Sequence, residues 1–101
     1  DLPKAEKAGD ILYRAAENVV FNPDALDDDD YHDFDHYTIE KVEPGELWLE
    51  VYDETGKSTV GPIAVPKEAS ELLQKGWDIS CAMARIRGTW KIVEIANVYP
   101  H

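Results

Sequence analysis

Apolar residues near the start of the chain return every three or four positions. Ala8, Ile11, Leu12, Ala15 and Val19 share one face at helical spacing. Pro3 suits a first helical turn, and the residue before Pro23 is pushed out of helical geometry. The spacing therefore predicts a helix from about 3 to 20 within a leading segment 1–22. Residues 23–36 carry seven Asp, few aliphatics and no period, which predicts a solvated acidic loop. From Tyr37 the period drops to two. Strands are expected at Tyr37–Val42, Leu47–Tyr52, Lys57–Pro66, Trp77–Arg87 and Thr89–Tyr99, with turns at Pro44-Gly45, Asp53–Gly56 and Gly88. Pro62 predicts an edge or a bulge in the third strand. Pro66 opens a short helix carrying Ala69, Leu72 and Leu73 on one face, with Gly76 as its left-handed stop. The second strand alternates most cleanly. It sets Leu47, Leu49 and Val51 on one face and Trp48, Glu50 and Tyr52 on the other.

Three strands, a helix and two more strands form an order that resembles the OB-fold. Asp53-Glu54-Thr55-Gly56 resembles the acidic-x-Thr-Gly turn between strands two and three of many such domains, and Leu73–Ile79 resembles their passage into strand four. The resemblance spans about residues 36–99 and is one of topology, not of a particular family. It implies an α+β, mostly β chain: an N-terminal helix plus a five-stranded OB-like β-barrel with a short helix between strands 3 and 4. The whole of 1–101 reads as one domain, with a helical segment 1–22, an acidic loop 23–36 and a barrel over 37–100. The resemblance also implies a ligand platform on strand two.

With 101 residues, 44% of them hydrophobic, the chain can fill one core and not two. No run approaches the roughly 18 apolar residues that span a bilayer, so no membrane partner is expected. The chain opens at Asp1, as a processed or excised segment does, and reads as soluble, cytoplasmic or exported after signal removal. Cys81 is the one cysteine and sits among Ile79, Ala82, Met83 and Ala84. A single chain with one thiol forms neither a disulfide nor a cysteine metal site.

Charge changes the picture most. Residues 1–56 hold 17 acids against four bases, a net −13, whereas residues 57–101 hold four acids against six bases, a net +2. Such polarity repels phosphate backbones and membrane surfaces and attracts basic proteins or cations. The leading expectation is a non-catalytic module whose acidic surface docks a protein partner that is basic, or that it meets by mimicking nucleic-acid charge.

Two further readings rest on particular side chains. Trp48, Glu50 and Tyr52, with the bases Arg85, Arg87 and Lys91 around Gly88, form a candidate face for single-stranded nucleic acid or an oligosaccharide. On this reading Trp48 is either free or covered by the N-terminal helix, and Trp77 and Trp90 belong to the core. Asp28, Asp30, His32, Asp33 and His36 combine imidazole with carboxylate, the donor set for a divalent cation; no other cofactor is expected. No Gly-x-Ser-x-Gly, phosphate-cradling glycine loop or Cys/His pairing appears, so no catalysis is expected.

Overall fold

The computed structural model describes residues 2–101. Its elements are α1 (Leu2–Glu17), β1 (Tyr31–Glu43), β2 (Glu46–Asp53), β3 (Gly56–Ala64), α2 (Lys67–Leu72), β4 (Asp78–Ile86) and β5 (Thr89–Tyr99), with 3-10 turns at Pro23–Ala25 and Asp28–Asp30. The sheet closes on itself in the order β1-β2-β3-β5-β4. Every pairing is antiparallel except that of β3 with β5, which is parallel and short, joining Ile63 to Trp90 and Ala64 to Lys91. The expected α+β architecture, with a leading helix and a short helix between the third and fourth strands, is present.

Alternation along β2 survives intact. Leu47, Leu49 and Val51 are buried, and Trp48, Glu50 and Tyr52 look outward. The three aliphatics meet Ile39, Ile63, Ile79, Met83, Ile92, Ile95 and Val98 in one core. Trp77 is its largest fully buried side chain, at 2% exposure. Its carbonyl accepts a hydrogen bond from Ile39 N–H at 2.8 Å, while Gly76 N–H donates to Ile39 O at 2.9 Å, so the approach to β4 is fastened to β1. The β1–β2 turn is tied to α2 in the same way, with Gly45 N–H donating to Ser70 Oγ at 3.0 Å. The buried stripe of α1 is Ala5, Ala8, Leu12 and Ala16, whose three alanines allow close approach to β5 and α2.

Three local expectations are corrected. The loop expected over 23–36 ends at Asp30, because Tyr31–His36 form the first half of β1 and pair with β4. β4 is buried on both faces from Ile79 to Ala84 and needs a partner for its backbone groups, which outweighs the polar character of the acidic run. A register shift between His32 and Asp35 lets this run fit, and Tyr37 Oη donates to Asp33 O at 2.5 Å across it. α1 ends at Glu17 and not near Val20: Asn18 Nδ2 caps Arg14 O at 3.0 Å, and Asn22 opens the next turn, its Oδ1 accepting from Asp24 N–H. α2 stops at Leu72 with Leu73 already extended, so Gly76, at φ 92°, belongs to the turn into β4. As expected, Pro62 lies at a bulge, marked by the register shift opposite Leu47 and Leu49.

Tyr37 and Cys81 share the interior. Burial, then the neighbouring Cys81, pushes the Tyr37 hydroxyl from 10.0 up to about 12, and burial pushes the Cys81 thiol from 9.0 up to about 12. Both groups are neutral when protonated, so the stability they lend is complete below their unfolded values and is lost as pH climbs toward 12. Urea midpoints are expected to hold between pH 7 and 9 and to fall between pH 9 and 12. Cys81→Ala should delay the onset of that fall to about pH 10. In the native protein Cys81 should resist a thiol reagent and react only as the chain opens. Prompt labelling of folded protein at neutral pH would contradict this burial.

Candidate functional site

The outer face of β2 is fixed by its register. Trp48 stands opposite Lys41, Glu50 opposite Thr38 and Thr59, and Tyr52 opposite Lys57. α1 packs on β5 and α2 and leaves Trp48 uncovered; the cover comes from β3 and β1 instead. A Cβ on Gly61 would lie 2.4 Å from Trp48 Cδ1, so the indole rests on the bare backbone of the β3 bulge, and Lys41 Nζ sits 4.6 Å from the ring centroid. Trp48 is half-buried as a result, and Tyr52 is 73% exposed. Between them Lys57 Nζ lies 3.0 Å from Glu50 and 3.9 Å from Glu40. The Glu40 carboxyl first, and Lys57 second, hold Glu50 below its ordinary value, while Glu50 holds Lys57 above its own. The aromatic pair foreseen on strand two is thus present, surrounded by carboxylates already matched to lysines.

A second surface gathers the seven Asp between residues 24 and 35. They are presented by ordered backbone: the two 3-10 turns and the bulged start of β1. Asp24, Asp27, Asp28, Asp29, Asp33 and Asp35 are exposed, and among the described residues only Asp30 is ion-paired. Phe34, 42% exposed, stands between Asp33 and Asp35. Sequence reasoning passed over Phe34, because the run looked like a loop; its signal was an aromatic residue flanked by charges.

The three bases expected to act together are divided. Arg85 is ion-paired with Asp30, its Nε donating to Asp30 Oδ1 at 2.7 Å, and its guanidinium lies 5.5 Å from the Trp90 centroid. Trp90 is half-buried and packs against the core from its edge, whereas Trp77 lies within it as expected. Arg87 and Lys91 lie instead beside the end of α1, bordering a hollow with Asn18, Val19 and Val20. Among the described residues no ion pair or side-chain hydrogen bond joins these bases to Trp48 or Tyr52.

The cation residues are spread in the same way. His32 packs on Trp90 at 5.3 Å; its burial there lowers its affinity for a proton, opposed in part by Asp53. His36 stacks on Tyr99 at 5.2 Å beside the Ser80 hydroxyl at 3.3 Å. Asp33 Oδ1 accepts from Phe34 N–H, Asp30 holds Arg85, and Asp28 points into solvent from its turn. Among the described residues no three His, Cys, Asp or Glu side chains come together as a metal site. A spacing of four places side chains together on a helix, but along a strand it separates them by roughly 13 Å.

Among the described residues no helix is long and apolar enough to cross a membrane. No family model, curated protein or solved structure matches this chain.

Proposed function

We propose that this chain is a non-catalytic binding module of OB type, whose acidic ridge docks a basic protein partner. The ring order β1-β2-β3-β5-β4, with α2 inserted between β3 and β4, supports the OB-type reading. One observation carries the functional reading: six exposed aspartates without a cationic partner among the described residues are held on ordered backbone between Asp24 and Asp35, a stretch that also exposes Phe34. Unpaired carboxylates on a fixed scaffold steer a cationic surface into contact, and an exposed aromatic gives the contact a residence time.

A basic amphipathic peptide of alternating lysine and leucine serves as probe. Its association with the wild-type chain is expected to slow as salt rises to a few hundred millimolar. Replacing Asp27, Asp28, Asp29, Asp33 and Asp35 together by Asn should lower the association rate about 10- to 100-fold at low salt. Phe34→Ala should raise the dissociation rate roughly fivefold and leave association unchanged. Binding indifferent to both salt and the five substitutions would sink the reading.

The β2 face is the weaker seat. Glu40, Glu43 and Glu50 repel phosphate there, and Lys41 and Gly61 occupy the flanks of Trp48. A labelled single-stranded oligonucleotide is accordingly expected to leave tryptophan fluorescence unquenched at tens of micromolar.

A further inference from the structure

β3 leaves β5 immediately after Ala64–Lys91, and Pro66 turns the chain away toward α2. Beside this departure Leu12 and Ala15 of α1 border a gap, although the helix packs mainly on β5. The gap is a cavity of about 190 Å³ lined by Leu12, Ala15, Val65, Pro66 and Ile92, with Lys91 at its edge. Through Val19 and Lys91 it continues into a wider hollow of about 490 Å³ bounded by Arg87 and by Val20, which is 91% exposed.

The charge pattern of this groove runs against that of the molecule. The chain carries −11 overall, yet both parts of the groove are lined without a single carboxylate, and two cations, Arg87 and Lys91, line the wider part. Among the described residues neither Arg87 nor Lys91 takes part in an ion pair, unlike Arg85, which the same hairpin turns toward Asp30. Two unmatched cations beside a half-open aliphatic slot complement a small anion with an alkyl tail. At ~30 Å³ per water-sized group, the inner part accepts roughly six methylenes.

We propose that the groove between α1, the end of β3 and the β4–β5 hairpin binds a medium-chain carboxylate, with its tail between Leu12, Val65 and Ile92 and its head on Lys91 and Arg87. A peptide is the poorer fit, since the inner part is a short aliphatic slot with Lys91 as its one charged lining residue. This site is separate from the acidic ridge, and its fate does not bear on that reading.

Titrating butyrate, hexanoate, octanoate and decanoate against the full chain, read by amide chemical shifts, tests the proposal. Affinity is expected to rise about fourfold per added methylene, at ~0.8 kcal/mol each, and to level off near eight carbons, with shifts centred on Ala15, Val65, Lys91 and Ile92. Lys91→Met with Arg87→Met keeps the apolar stems. This double variant should weaken octanoate tenfold or more while leaving the neutral analogue octanol unchanged. Ala15→Leu should abolish binding, and its thermal melt establishes that the fold persists; if that variant unfolds, the double methionine variant decides. Equal binding of octanoate and octanol, indifference to the methionine substitutions, or shifts centred on Trp48 would each overturn the assignment. So would the absence of saturable shifts at millimolar octanoate, or capture of a C-terminal apolar peptide in its place.

Discussion

Trp77→Ala is expected to destabilise the protein by about 3–5 kcal/mol, the range for truncating a buried aromatic. The side chain is 2% exposed and packs where the chain enters β4, against the same core that α1 and β2 complete. Its removal empties the largest fully buried volume in the molecule, and the flanking hydrogen bonds between Ile39, Gly76 and Trp77 hold the backbone in place, so collapse into the void is resisted. Typical total stability is only ~5–15 kcal/mol, so the variant should lie near the edge of folding. At ~4–8 °C per kcal/mol for a domain of this size, the melting temperature by circular dichroism should fall by 12 °C or more. Trp77→Phe, which keeps most of the volume, should cost less than half as much. A loss below about 1 kcal/mol for the alanine variant would mean that Trp77 does not fill the core as described.

Gly61→Ala is the second large effect, and it arises from the opposite fault. One added methyl would lie 2.4 and 2.6 Å from two Trp48 ring atoms and 2.9 Å from Leu47 O. The indole can swing aside only by giving up its contact with Lys41, and the Leu47 carbonyl belongs to the β2–β3 ladder and cannot retreat. Overpacking of this kind costs about 1–3 kcal/mol. A double-mutant cycle separates the two collisions. Trp48→Ala in the Gly61→Ala background should recover part of the loss and leave the part due to Leu47 O. If the two substitutions simply add, Trp48 does not rest on Gly61.

Much of this chain was legible without its fold. The switch from a period near 3.6 to a period of two placed α1 and four of the five strands within a few residues, since local alternation decides which side chains can share a buried face. Leu47, Leu49 and Val51 needed nothing more. The polarised charge was likewise visible, because charge is a property of composition.

Sequence by itself determined the elements, their order, the inward set of β2 and the acidity of the first half. Tertiary structure alone decided three things. It turned Tyr31–His36 from loop into strand, because β4, buried on both faces, requires a backbone partner whatever the polarity of that partner's side chains. It separated Arg85 from Arg87 and Lys91, and His32 from His36, because a strand sends residues close in sequence to different neighbours. And it made the groove beside α1, which exists only where two strands part next to that helix. Patterning reports which residues avoid water; which of them meet, and what space they leave between them, depends on contacts between segments far apart in the chain.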